Sequence, residues 1–107
     1  MPRRYVHPDQ SDISLAHVLS ALGDPVRLHI MGVLADRQEH QRADFEVDVV
    51  ASTLSHHMKV LREAGITHQR NEGTRCFVSL RDDTLDAFPG VLGSVLDAVA
   101  VGDTAHA

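Results

Sequence analysis

The sequence predicts a mostly α-helical fold with one β-hairpin wing, a winged helix-turn-helix that dimerises through its first and last helices. Three observations predict it. The run from Ser52 to Gly65 (S-T-L-S-H-H-M-K-V-L-R-E-A-G) spaces Leu54, Met58 and Leu61 as one helical face and ends on a glycine. Directly after it the pattern changes from a helical period to alternation on either side of Gly73. The apolar stripe Leu85, Phe88, Leu92, Val95, Leu96 and Val99 is then longer than the lean core of a 107-residue chain can cover.

Taken in order, residues 1–11 read as a flexible polar arm. Ser11 or Asp12 caps a first helix with apolar positions Ile13, Ala16, Leu19 and Leu22. Gly23-Asp24-Pro25 breaks it. Pro25 suits the first position of a second helix capped by Asp24, running to about Ala35 with Val26, Ile30, Val33 and Leu34 inward. Residues 36–48 are charged and weakly periodic, with Phe45 and Val47 as apolar anchors and Val49-Val50 just after, so a short or irregular helix is expected. Ser52 caps the strong helix. Ile66–Arg70 and Arg75–Leu80 flank the turn Asn71-Glu72-Gly73-Thr74, with Cys76, Val78 and Leu80 on the core face. Asp82-Asp83-Thr84 opens the last helical region, where Pro89 must start or kink a helix. The winged-helix domain is thus expected over residues 12–101, with a disordered tail at 102–107.

Composition narrows the function classes. The chain is 43% apolar, has no tryptophan and contains no run of about 18 apolar residues, so a globular protein with no membrane span is expected. Arg3-Arg4 lacks the apolar segment that follows in a secretory signal. Cys76 is the only cysteine, which excludes an internal disulfide and fits a cytoplasmic protein. No paired carboxylates, nucleophile–base pair or phosphate loop points to an enzyme, and no cofactor is expected.

The net charge of −5 conceals a strong asymmetry. Residues 49–81 hold five Lys/Arg against two carboxylates, and the rest of the chain holds five against thirteen. A positive segment on an acidic body is the electrostatic footprint expected of a phosphate partner. At about 100° per residue, Ser52, His56, Lys59 and Glu63 lie opposite the Leu54 line, with Thr53 and Ser55 on the flanks. Short hydroxyls near a helix N-terminus allow close approach to base edges in a major groove, and a lysine serves phosphate or guanine. Arg70 and Arg75 bracket the hairpin turn, where both guanidiniums can reach backbone phosphate or the minor groove. The candidate DNA-binding residues are therefore Ser52, Thr53, Ser55, His56, Lys59, Arg70 and Arg75. The candidate dimer interface comprises Ile13 and Leu19 with Phe88, Leu92, Val95, Leu96 and Val99.

The ordered set Ala21-Leu22-Gly23-Asp24-Pro25-Val26-Arg27-Leu28-His29-Ile30, then S-T-L-S-H-H-M-K-V-L-R-E-A-G-I, then Glu72-Gly73-Thr74-Arg75, resembles the ArsR family of bacterial repressors over roughly residues 12–101. The resemblance implies a homodimer on double-stranded DNA carrying an inverted-repeat operator, released when a small-molecule inducer binds. It implies that Ser52, Thr53, Ser55, His56 and Lys59 read DNA and that Arg70 and Arg75 serve the wing. The chain departs from metal-sensing members in two places. Phe45-Glu46-Val47-Asp48 stands where they carry a cysteine-containing helix, and the last helix has Asp86 and Asp97 but no histidine before His106.

The eight histidines therefore read as hydrogen-bonded or exposed side chains, and no metal ligand is assigned. His56 and His57 point about 100° apart on one helix and do not share a metal. Cys76 reads as a small core-facing apolar residue. Two other function classes stay open on the sequence: a metal-responsive repressor with an atypical His/Asp site, and a winged helix used as a protein-interaction module.

Overall fold

The computed structural model describes residues 5–106, with side chains described up to residue 100. Its elements are a 3-10 turn Gln10–Asp12, α1 Leu15–Leu22, α2 Pro25–Leu34, a 3-10 turn Arg42–Phe45, α3 Ala51–Glu63, β1 Thr67–Glu72, β2 Arg75–Leu80, α4 Asp82–Ala87 and α5 Pro89–His106. This is the expected helical scaffold with a single antiparallel hairpin. Residues 1–4 of the expected arm, and the side chains of the expected 102–107 tail, lie outside the described residues.

The α1–α2 corner forms as the sequence dictates. The Asp24 carboxylate accepts from the backbone N–H groups of Val26 and Arg27 at 2.9 and 3.1 Å, with Pro25 in the first turn. The cap of α1 differs from expectation. Residues 10–12 coil into their own 3-10 turn, Ile13 is extended, and Ser14 caps α1 by accepting from His17 N–H at 3.1 Å. The buried face of α1 is consequently Val18, Ala21 and Leu22, while Ala16 and Leu19, on the same apolar line as Leu22, are exposed. Alanine and leucine favour helix wherever they stand, so the period alone did not select the buried side.

α3 begins at Ala51, with Val50 as its N-cap and no side-chain cap, rather than at a Ser52 cap. Ala51 is a strong helix former and extends the helix over the two preceding positions. Its far end matches expectation: Gly65 follows the C-cap at φ 85°, and Ile66 N–H closes back to Leu61 O at 3.0 Å. Leu54, Met58 and Leu61 are buried in one core with Val18, Ile30, Met31, Leu34, Phe45, Val78 and Leu92.

The hairpin is longer than expected. β1 and β2 pair from Thr67↔Leu80 to Glu72↔Arg75, which leaves only Gly73 and Thr74 in the loop. Gly73 takes φ 63°, in the left-handed region that favours glycine. His40 pairs with Val78 through two backbone hydrogen bonds of 2.8 Å, a one-residue extension of the sheet. Pro89 starts α5, and a short α4 precedes it. Thr84, buried in α4, donates to Gly65 O at 2.6 Å and so ties the C-terminal region to the end of α3.

Gly65 sits at a close approach between the end of α3 and Ile13. Its backbone is left-handed, and a Cβ built there overlaps the Ile13 side chain. Gly65→Ala is expected to destabilise the protein by about 1–3 kcal/mol. A urea midpoint that falls at unchanged m-value measures this; an unaltered midpoint refutes it.

Candidate nucleic-acid interface

The outer face of α3 is built by default from what its inner face buries. With Leu54, Met58 and Leu61 in the core, Ser52, Thr53, Ser55, His56 and Lys59 all stand exposed. Ser52, Ser55, His56 and Lys59 line one groove of about 600 Å3, whose other walls include Arg42 and Tyr5. Thr53 is exposed outside that groove. Because α3 has no side-chain cap, its first-turn N–H groups have no capping oxygen from the N-cap side chain.

His57, the inner neighbour of His56, is buried. Arg27 donates through Nη1 to His57 Nδ1 at 3.1 Å, and its Nε donates to Ala21 O. One guanidinium thus joins the end of α1, the start of α2 and the middle of α3. Neither residue was a candidate from sequence. A histidine buried beside an exposed one carries no signal of its own, and the pairing spans 30 residues.

The wing cations differ from each other. Arg75 is exposed and makes no ion pair among the described residues. Arg70 is held by Glu39 at 2.6 and 2.9 Å and by Glu72 at 3.1 Å, and it lies over the Phe77 ring at 4.6 Å. These carboxylates raise its pKa further above an already permanent charge. Arg81 is likewise paired, with Asp83 at 2.6 Å. Two of the five cations counted in residues 49–81 are therefore matched by carboxylates. Arg42, from the charged stretch that gave no motif, adds a cation to the groove and donates to Ala51 O at 2.9 Å.

Cys76 is half-buried, not simply packed in the core: its Sγ accepts from Tyr5 Oη at 3.4 Å and from Gln69 Nε2 at 3.6 Å. Of the candidate dimer residues, Leu19 is half exposed, and Phe88, Val95, Leu96 and Val99 are partly buried. Leu92 is fully buried inside the protomer, and Ile13 is partly buried against Gly65. Leu92 thus serves the internal core rather than a surface. Among the described residues no group of three or more His, Cys, Asp and Glu gathers as a metal site, and no helix is long and apolar enough to cross a membrane.

A three-helix core with a capped corner, a helix presenting its outer face, and an adjoining hairpin define a winged-helix protein. No family model matches the chain. The uncharacterized HTH-type transcriptional regulator YceK of Bacillus subtilis is 38% identical over 88 residues, covering 78% of this chain and 88% of that one. A homolog of the cadmium resistance transcriptional regulatory protein CadC from Staphylococcus aureus is 30% identical over 92 residues, covering 74% and 76%. The transcriptional repressor BigR from Xylella fastidiosa superposes with a TM-score of 0.60 at 28% identity, over 76% of this chain and 84% of that one. The ArsR family transcriptional regulator RHA00566, at 16% identity, shares the fold with a TM-score of 0.63 over 87% and 95%. The chain belongs to the ArsR/SmtB family of winged-helix transcriptional regulators.

The loop leading into α3 is held by His40, which donates to Asp36 at 2.9 Å and to Asp44 at 3.2 Å. These carboxylates, Asp36 foremost, raise the His40 pKa above 6.5; the Gln38 backbone N–H and His40 lower that of Asp36 below 3.8. The clamp's stabilisation is complete between those ordinary values. It is lost as pH rises through the raised His40 value or falls through the lowered Asp36 value. The stability lost in His40→Gln is therefore expected to be larger near pH 5.5 than near pH 8.5. Equal losses in urea titrations at both pH values refute the clamp.

Proposed function

We propose that this ArsR/SmtB-type regulator is a homodimeric, cytoplasmic repressor that binds an inverted-repeat operator and is released by a small-molecule inducer. The observation that carries the DNA reading is the exposure of Ser52, Ser55, His56 and Lys59 along one groove of α3 beside the hairpin. The first turns of α3 enter the major groove, where Ser52, Thr53, Ser55 and His56 meet base edges. Lys59, further along, meets phosphate. Arg75 meets phosphate from the wing, and Arg70 does so by exchanging Glu39 for it.

Alanine variants of Lys59 and Arg75 are expected to weaken binding to all sequences alike, each lowering the salt slope by about 1. Arg70→Ala lowers it less, since that cation is already matched by carboxylates. Ser55→Ala or His56→Ala costs about 1–3 kcal/mol at particular operator positions and relaxes preference there. Titrations against single-base operator variants at two salt concentrations separate these classes. Altered base preference in Lys59→Ala with none in His56→Ala refutes this placement of the helix.

The dimer reading rests on apolar surface that the protomer leaves uncovered. Leu15 and Leu19 of α1 are 42% and 50% exposed, and Val95, Leu96 and Val99 of α5 are only partly covered. Joining these faces buries area that a small monomer lacks. Val95→Asp is expected to give monomers or aggregates that no longer bind DNA. Sedimentation of the unaltered protein as a monomer at micromolar concentration overturns the dimer.

A further inference from the structure

The segment ahead of the first 3-10 turn makes a set of contacts that the winged-helix core does not require. Tyr5 to Pro8 runs along the hairpin as a strap. The Tyr5 hydroxyl donates to Cys76 Sγ at 3.4 Å, and the Arg62 guanidinium lies over the Tyr5 ring at 5.0 Å. His7 Nε2 accepts from Gln69 N–H at 2.9 Å, and the His7 ring stacks on His68 at 4.5 Å with the planes 13° apart. Pro8 O accepts from Arg81 Nη1 at 2.7 Å. Tyr5 and Val6 line the same groove as Ser52, Ser55, His56 and Lys59. The strap therefore forms one wall of the cleft between α3 and the wing.

One of these contacts requires a neutral His7. A ring nitrogen that accepts a backbone N–H carries no proton of its own, so protonation at Nε2 sets one donor against another. The groups facing His7 from the packed elements are His68 and Gln69 of β1, Arg62 of α3, and Arg81 after β2, itself paired with Asp83. Every charge-bearing group whose field acts on His7 is cationic or becomes so on protonation. We propose that the strap is a proton-released cover of the helix–wing cleft, docked while His7 is neutral and lifted when His7 gains a proton.

Burial foremost, then His68, Arg62 and Arg81, lower the docked His7 pKa below 6.5. The undocked strap thus holds the proton more tightly. Docking is complete above about pH 6.5 and weakens as pH falls toward the lowered value. The consequence for DNA rests on the proposed reading of α3 and the wing: a lifted strap uncovers Arg62 and clears the space beside Lys59.

Tyr5 is the only tyrosine and the chain has no tryptophan, so intrinsic fluorescence reports the strap directly. Titrating the full chain from about pH 8 to about pH 5 should change Tyr5 emission in a one-proton step with its midpoint below 6.5, at constant helical circular dichroism. His7→Gln retains an acceptor for Gln69 N–H but does not titrate, and its trace should be flat. His68→Gln removes one of the groups that lower the His7 pKa and should move the midpoint to higher pH. A flat trace in the unaltered protein, or the same step in His7→Gln, overturns the proposal. Binding to a generic DNA duplex at fixed salt gives the second readout. The unaltered protein should gain more affinity on acidification than His7→Gln, and equal gains overturn the cover. If no variant binds DNA at any pH, the DNA reading fails while the fluorescence step still decides the strap.

Discussion

The placement of α3 against the α1–α2 corner is the constraint on which the rest of the structure depends. Two kinds of interaction fix it, and their magnitudes divide the work. Burial of Leu54, Met58 and Leu61 contributes about 1.5–3 kcal/mol for each side chain, so the apolar line holds the helix down. The hydrogen bond from Arg27 to His57 contributes about 0.5–1.5 kcal/mol, or somewhat more for a charged donor. That is too little to hold the helix, but it is directional, as apolar contact is not. With His57 fixed to a guanidinium that also holds Ala21 O, rotation of α3 breaks a bond in a poorly solvated place. The outward direction of Ser52, Ser55, His56 and Lys59 follows from that inward one.

The parts of the fold legible in the sequence are those with a local physical cause. Asp24-Pro25 is a cap and a first-turn proline in adjacent residues, and it forms as such. Gly65 is needed because its φ is positive. The hairpin follows from alternation around a glycine. The parts that were not legible depend on distant partners. Which side of α1 faces inward is decided by the core it meets, since Leu15 and Leu19 are as apolar as Val18 and Leu22. The α3 start lies two residues earlier than expected because alanine at 51 extends a helix as readily as serine at 52 caps it. His57, Arg42 and the Tyr5–Cys76 contact each bridge separate elements, and no spacing rule reports such a pairing.

The same distinction applies to the charges. Counting residues locates a positive segment, but it does not say which cations are already engaged. Glu39 reaches Arg70 from 31 positions away, and Asp83 reaches Arg81 from two. The sequence count thus overstates the free charge of the wing and misses Arg42. The exposed pairs are nonetheless poor competitors for a polyanion. Arg70 and Glu39 are each about two-fifths exposed, and a pair of that exposure contributes little, and less as salt rises.

A phosphate backbone offers more than a single carboxylate does. It carries one charge for about every 1.7 Å of duplex axis and releases condensed counterions when it is neutralised. Exchange of Glu39 for phosphate at Arg70 is therefore inexpensive for the wing. It also frees Glu39, which neighbours the backbone bridge between His40 and Val78. The loop that carries His40 and Arg42 is in this way coupled to whatever Arg70 contacts, and that loop leads into α3. On the proposed reading, contact of the wing with phosphate and the seating of α3 consequently share one short stretch of chain. On that reading, an acidic protein of net charge −5 thus presents a DNA face on which Arg70 stays matched until a stronger anion arrives, beside an Arg75 that has no ion pair among the described residues.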